Sequence, residues 1–125
     1  MDENDLSFII RGAIFRVYNN TGPGLLESAY EAALTYELKK EGLNVLNQQG
    51  LPFVYETMRL DVGYRIDIIV ENKVIIEVKS VSELEETHYK QLLTYLKLSD
   101  KKLGILVNFN TAHIDKSIKR VVNNL

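Results

Sequence analysis

The stretch YRIDIIVENKVIIEVKS, residues 64–80, decides the fold of this chain. It contains two segments rich in β-branched residues, residues 64–70 and Val74–Lys79, with the polar segment Glu71-Asn72-Lys73 between them. Two such segments on either side of a short polar turn predict a β-hairpin. Because their apolar residues are nearly continuous, these two strands are expected to be the most buried strands of the protein.

Three charged residues lie inside this apolar stretch, Asp67 in the first strand and Glu77 and Lys79 in the second. Charged side chains are almost never fully buried unless they are paired or bound to something. Side chains alternate between the two faces of a strand, so Asp67 shares a face with Ile69, and Glu77 shares one with Lys79. The three charges therefore predict either a set of ion pairs or a site that binds a ligand.

The length of the turn decides whether the two acids meet. A two-residue turn at Glu71-Asn72 sends Asp67 and Glu77 to opposite faces of the hairpin. A three-residue turn, Glu71-Asn72-Lys73, places Asp67 directly across from Glu77, with the β-carbons about 4.5–5.5 Å apart. The sequence is compatible with both registers.

Two carboxylates that face each other in a half-buried position repel and need a cation. Lys79 can neutralise only one of them, whereas a divalent hard metal such as Mg²⁺ accepts carboxylates, a backbone carbonyl and waters as ligands. The alternative is a cluster of salt bridges, with Asp67 paired to Arg65 and Glu77 paired to Lys79. Spacing alone leaves both interpretations open.

Two amphipathic helices are predicted before the hairpin. Apolar residues at helical spacing predict the first over residues 4–19, and the Gly- and Pro-containing segment 19–24 ends it. The second is predicted over residues 25–40, with Gly42 beyond its end. One side of this second helix carries Leu26, Ala29, Ala33 and Tyr36.

Strands are predicted over residues 43–49 and 51–57, with Gly50 and Pro52 interrupting them. After the hairpin, Ser82 and Glu85 have the spacing of a capping box and predict a helix that extends to about residue 98. A strand over residues 103–109 and a last helix over residues 115–123 complete the chain. The order of elements, α-α-β-β-β-β-α-β-α, predicts an α/β protein of the α+β type, with a mixed sheet flanked by helices.

The composition favours a single domain over residues 1–125. The chain has no cysteine, which excludes disulfides, thiolate metal sites and a cysteine nucleophile. No segment is apolar enough over a sufficient length to span a bilayer, so no membrane partner and a cytoplasmic location are expected. The net charge of −2 provides no general attraction for nucleic acid.

Three motifs resemble those of one group of enzymes. Asp67 followed by Glu77-Val78-Lys79 resembles the core motif of the PD-(D/E)XK nuclease superfamily, with Ile66 in place of the proline of its name. Residues 24–30, GLLESAY, resemble the G-x-x-E-x-x-Y motif of the GxxExxY family within that superfamily. Residues 91–95, QLLTY, resemble the Q-x-x-x-Y motif of its exonuclease-like branches.

The resemblance implies a restriction-endonuclease-like αβββαβ core, here with an extra N-terminal helix. It also implies a role for particular residues: Lys79 would contact the scissile phosphate or orient the attacking water. The implied metal ligands are Glu27, Asp67, Glu77 and the carbonyl of Val78. Gln91 would act in the catalytic site, and Tyr95 and Tyr30 would contact substrate.

The activity implied by the resemblance is hydrolysis of phosphodiester bonds in nucleic acid, with DNA as the expected substrate. Mg²⁺ is the implied cofactor and Mn²⁺ its expected substitute. The alternative is a module that keeps the nuclease fold but only binds nucleic acid or a protein. Action as a homodimer or inside a larger complex also remains open at the level of sequence.

Overall fold

The computed structural model describes all 125 residues, which form three helices and one five-stranded sheet. The helices are α1 (Glu3–Thr21), α2 (Glu27–Lys40) and α3 (Glu86–Ser99). The strands are β1 (Val45–Tyr55), β2 (Met58–Val70), β3 (Val74–Lys79), β4 (Leu103–Asn108) and β5 (Ile118–Val122), with a 3₁₀ turn at Ile114–Lys116. The strand order is β1-β2-β3-β4-β5, and only β3 and β4 are parallel.

Strand β3 lies at the centre of the sheet and is covered on both faces. Val74, Ile76 and Val78 belong to the large core formed with α1 and α2. Ile75 belongs to the smaller core formed with α3, where it packs with residues such as Leu92. A strand buried on both faces has no polar side to alternate with, which explains the almost continuous apolar sequence of β3.

The predicted fold class is confirmed. The order α2-β1-β2-β3-α3-β4 is the αβββαβ core of a restriction-endonuclease-like fold, and α1 is the extra N-terminal helix. The hairpin strands end and begin as predicted, at Val70 and Val74. None of the three helices combines the length and the apolar character needed to cross a bilayer.

The prediction of a helix over residues 115–123 is wrong. This segment forms the 3₁₀ turn and then β5, which pairs antiparallel with β4. Ile118, Val121 and Val122 are β-branched and suit a strand, and the open edge of β4 offers them hydrogen-bond partners along the whole segment. The fifth strand is therefore an addition to the predicted core.

Residues 43–57 were predicted as two strands and form one. Strand β1 continues through Gly50, and the effect of Pro52 is limited to a shift in register between Leu51 and Phe53. The chain then turns at Glu56, whose φ of 58° is left-handed, and returns as the long strand β2. The result is a hairpin arm that extends beyond the rest of the sheet.

The predicted helix boundaries and faces need two corrections. Helix α3 begins after Glu85, which forms a capping box with His88, and Ser82 does not cap it. In α2 the buried face contains Tyr30, Leu34 and Leu38, whereas Leu26 and Tyr36 are exposed. Residues 30, 34 and 38 follow the i, i+4 spacing of a helix face, and their packing against the sheet selects this face over the predicted one.

Candidate active site

The hairpin has the three-residue turn, which resolves the question that the sequence left open. Val70 pairs with Val74, and Glu71 and Asn72 both adopt left-handed φ angles, 52° and 54°. In this register Asp67 of β2 lies across from Glu77 of β3.

Where β2 and β3 separate, hydrogen bonds to the side chains of the two acids replace the backbone hydrogen bonds between the strands. Regular pairing of these strands ends at Ile68 and Ile76. Beyond that point the Asp67 N–H donates to Oε2 of Glu77 at 2.9 Å, and the Val78 N–H donates to Oδ2 of Asp67 at 2.9 Å. Each carboxylate is thus held by a peptide group of the other strand and retains a second oxygen for another partner.

The electrostatics of the pair are set by burial and by the repulsion between the two carboxylates. Glu77 is 3% exposed, and its burial, together with the charge of Asp67, raises its pKa to about 8. Burial also raises the pKa of Asp67. Lys79 opposes both shifts through its charge but does not reverse either.

The alternative of a salt-bridged cluster is wrong. The protein has four ion pairs, and none contains Asp67, Glu77 or Lys79. Arg65 donates instead to the carbonyl of Gln48 at 3.1 Å. The acids are therefore positioned by peptide groups, and the ammonium group of Lys79 remains free of a carboxylate partner.

Glu27 links the N-terminus of α2 to the end of β3. Its Oε2 accepts a hydrogen bond from the N–H of Ser80 at 3.1 Å, and the Ser80 hydroxyl donates to the carbonyl of Leu25 at 2.7 Å. Its charge contributes to the raised pKa of Asp67. The Glu27 side chain is therefore directed to the end of β3 and does not cap its own helix.

Two further residues of the site were not predicted, Glu31 and Gln48. Gln48 lies opposite Asp67 in β1 with a left-handed φ of 52°, which is uncommon for a residue with a side chain. Its amide donates to Oε1 of Glu31 at 2.7 Å and to Oδ1 of Asp67 at 3.3 Å. The i, i+4 spacing of Glu27 and Glu31 was a visible signal, because it places both on one helix face, but the backbone of Gln48 left no trace in the sequence.

Comparison with known protein families gives one match, and it covers this site. A family model of the PD-(D/E)XK nuclease superfamily matches residues 4–121, which include both acids and Lys79. The chain belongs to the PD-(D/E)XK nuclease superfamily. No curated protein and no solved structure gave a significant match.

The PD-(D/E)XK nucleases generally use divalent metal ions, and the acid pair of this member suits one. No group of three or more acids or histidines is close enough to enclose an ion alone. Mg²⁺, however, is commonly bound through only one or two carboxylates and keeps several waters. A pair with raised pKa values, an oxygen of Glu77 that has no hydrogen-bond partner and no ion pair to a protein cation matches this kind of site.

Tyr30 does not occupy the position expected of a substrate ligand in this PD-(D/E)XK protein. Its side chain is fully buried and stacks on Phe109, with ring centroids 4.3 Å apart. Its hydroxyl donates to the carbonyl of Gly22 and accepts from the N–H of Leu25. The prediction that Tyr30 contacts substrate is therefore corrected: Tyr30 shapes the loop that leads into α2 and to Glu27.

The Q-x-x-x-Y residues of the superfamily motif lie on α3. Tyr95 is 4% exposed in the smaller core with Ile75 of β3, and its pKa is raised by burial and by the charge of Glu77. Its ring meets that of Tyr64 edge to face at 5.8 Å. Gln91 is one helical turn earlier on the same side of α3 and is exposed.

Proposed function

We propose that this protein is a metal-dependent nuclease that hydrolyses phosphodiester bonds in DNA. The observation that carries the proposal is the pair Asp67, which is half-buried, and Glu77, which is buried; both are fixed by peptide N–H groups, and neither forms an ion pair. Burying two facing acids without a cation lowers stability, so the arrangement is costly unless a metal uses it. An unpaired lysine, Lys79, lies two residues from Glu77 on the same strand.

Asp67 and Glu77 are proposed to hold Mg²⁺, with Mn²⁺ as a substitute, and the carbonyl of Val78 to be a further ligand. Glu27 would complete the metal site through a bound water, because no third acid lies close enough to bind the ion directly. When bound, the metal would supply Lewis-acid polarisation of the phosphate and lower the pKa of a bound water. Glu27 is suited to this role because its carboxylate is already directed to the end of β3 by Ser80.

The other residues act on the substrate. The ammonium group of Lys79 stabilises the negative charge that develops on the phosphate, or orients the attacking water. Gln91 and Tyr95 hold the phosphate or brace Lys79 from α3. The G-x-x-E-x-x-Y motif and the placement of Glu27 support assignment to the GxxExxY family. A single domain over residues 1–125, a cytoplasmic location and assembly into a homodimer or larger complex belong to the same proposal.

Cleavage of labelled DNA and RNA, each single- and double-stranded, tests this proposal. We expect wild-type protein to cleave DNA with Mg²⁺ or Mn²⁺ and to stop when EDTA is added. Asp67→Asn protein, purified in the same way, controls for a contaminating nuclease and should be inactive. Binding of nucleic acid without cleavage under any metal would instead favour the binding module, and absence of both would favour a protein-binding role.

Gln48 provides a prediction that separates stability from activity. Glycine adopts a left-handed φ without strain, and in Gln48→Gly this relief of strain should offset the loss of the side-chain hydrogen bonds. The free energy of unfolding should therefore change by no more than about 1 kcal/mol. The amide that joins Glu31 to Asp67 is lost, and removing a group that orients a metal ligand typically lowers metal affinity or activity about 10- to 100-fold. Denaturant unfolding and Mn²⁺ titration would measure the two effects.

Glu56→Gly is the matched control for Gln48→Gly. Glu56 also has a left-handed φ, 58°, but lies in the turn of the β1–β2 arm. It should gain stability and leave Mn²⁺ affinity unchanged. Equal Mn²⁺ affinity in wild type and Gln48→Gly would show that Gln48 does not position the acids.

A further inference from the structure

A basic groove follows the edge strand β5 and begins next to the active site. It consists of two adjoining cavities of about 290 and 520 Å³, both lined by Tyr89 and Lys119. The smaller cavity lies between the segment that follows β3 and the first residues of β5. The larger one lies between α1 and β5.

The strand register connects the smaller cavity to the active site. Lys79 of β3 is the direct neighbour of Asn108 in the parallel strand β4, and Asn108 lines this cavity. The Asn108 side chain is held rigidly, because it donates to the carbonyl of Val81 and accepts from the N–H of Val81, each at 3.0 Å. The groove therefore begins one strand away from the lysine that is proposed to meet the phosphate.

The charge of the groove is positive although the whole chain is acidic. Four cations line it, and Glu83 is its one acid. None of the four forms an ion pair. The cations are Arg11, Lys116, Lys119 and Arg120.

Aromatic side chains are interleaved with these cations. Tyr89 lies where the two cavities meet, and Phe8 lines the outer one. Phe8 is 81% exposed, which leaves almost its whole ring open to a partner. Grooves that combine cations with exposed aromatic rings bind single-stranded nucleic acid, because the cations follow the phosphates and the bases stack on the rings.

The path of the groove favours a single strand over a duplex. Lys119 pairs with Leu106, which packs under α3, whereas Arg120 pairs with Ile105, which packs under α1 and α2. The groove thus passes from one face of the sheet to the other around a single edge strand. Duplex DNA, with a persistence length of about 150 base pairs, cannot follow such a bend, and a flexible single strand can.

We propose that this groove binds a single-stranded segment of the nucleic acid and guides it to or from the active site. The inference rests on the proposed nuclease function only for the direction of the path; binding itself requires no cleavage. The substrate is then a nucleic acid that has a single-stranded portion.

The test measures binding in EDTA, so that no cleavage occurs, by fluorescence anisotropy with a labelled single-stranded oligonucleotide and a hairpin duplex of the same sequence. We expect the single strand to bind more tightly. Lys119→Glu should weaken its binding at least tenfold and lower the slope of log Kd against log salt by about 0.7 for the lost phosphate contact. Phe8→Ala should weaken it about tenfold through lost stacking.

Matched controls come from exposed residues outside the groove. Lys102→Glu controls for the charge change, and Tyr36→Ala, whose side chain is 64% exposed on α2, controls for loss of a surface aromatic. Equal losses in variants and controls, or equal binding of duplex and single strand, would overturn the inference. If an oligoglutamate peptide binds as tightly as the single strand, and Phe8→Ala does not weaken its binding, the partner of the groove is an acidic protein instead.

The two proposals can fail separately. The wild-type protein could bind single strands in a way that depends on Lys119 and Phe8 but cleave nothing with any divalent metal. This result would contradict the nuclease proposal and support the groove proposal. Cleavage of single strands at the same rate by wild type and Lys119→Glu, with unchanged binding, would contradict the groove and support the nuclease.

Discussion

Lys79→Ala is expected to fold and to bind Mn²⁺ as wild type does, but to cleave about 10²–10³ times more slowly. Folding should be retained because Lys79 forms no ion pair and is only half-buried at the end of β3. Metal binding should be retained because the acids are held by the N–H groups of Asp67 and Val78 and not by the lysine. The loss is confined to charge stabilisation during the reaction.

Asp67→Asn should behave differently from Lys79→Ala. Its amide oxygen can still accept the hydrogen bond from Val78, so the hairpin is expected to persist. Its other terminal atom becomes an NH₂ group, which cannot bind a cation, so metal binding and cleavage should be lost together. Lys102→Ala, a change at an exposed lysine outside the site, serves as the control for both variants.

Single-turnover cleavage and Mn²⁺ titration of the same preparations give the result. A Lys79→Ala protein that cleaves within a few-fold of wild type would remove Lys79 from the mechanism. An Asp67→Asn protein that binds Mn²⁺ as well as wild type would show that the metal lies elsewhere.

Without divalent metal, the free energy of unfolding is expected to fall as the pH rises from about 4.5 to about 8. The pKa of Glu77 is raised from its ordinary value of 4.5 to about 8, so the folded chain binds this proton more tightly than the unfolded chain. The stability linked to this group is complete below the unfolded pKa and is lost as the pH passes through the folded pKa. One pKa unit corresponds to about 1.4 kcal/mol, which makes the change on the order of a few kcal/mol.

Glu77→Gln isolates this contribution. The amide oxygen can replace Oε2 as acceptor for the N–H of Asp67, but the side chain no longer titrates. The fall in stability between pH 5 and pH 8 in EDTA should therefore be much smaller than in wild type, with the raised pKa values of Asp67 and Glu31 supplying the remainder. Urea unfolding at several pH values would measure it, and parallel curves for the two proteins would contradict the prediction.

Divalent metal should reverse the trend in wild type. A ligand at one hundred times its Kd adds about 2.7 kcal/mol to the free energy of unfolding. Because metal binding requires deprotonated carboxylates, Mn²⁺ should stabilise the protein more at pH 8 than at pH 5. An equal gain in wild type and Glu77→Gln would indicate binding at other surface acids.

The sequence alone determined the elements whose signals are local. The β-branched segments around the polar turn predicted where β2 ends and β3 begins, and helical spacing predicted α1 and the main part of α2. A capping box, assigned to Ser82 and Glu85, predicted the main part of α3. The positions of Asp67, Glu77 and Lys79 within those strands already indicated either a set of ion pairs or a ligand site, because charges in a buried strand need a partner. These features can be predicted without knowledge of the fold because each depends on residues that are close together in the chain.

Only the tertiary structure decided the features that depend on distant partners. Ile118, Val121 and Val122 form a strand because β4 leaves an open edge beside them, and Tyr30 is buried because Phe109 packs against its ring. The left-handed backbone that joins Gln48 to Asp67 and Glu31 exists because β1, β2 and α2 meet there. Such contacts join residues that are far apart in the sequence. Their energies override the local helix and strand propensities on which a prediction from sequence depends.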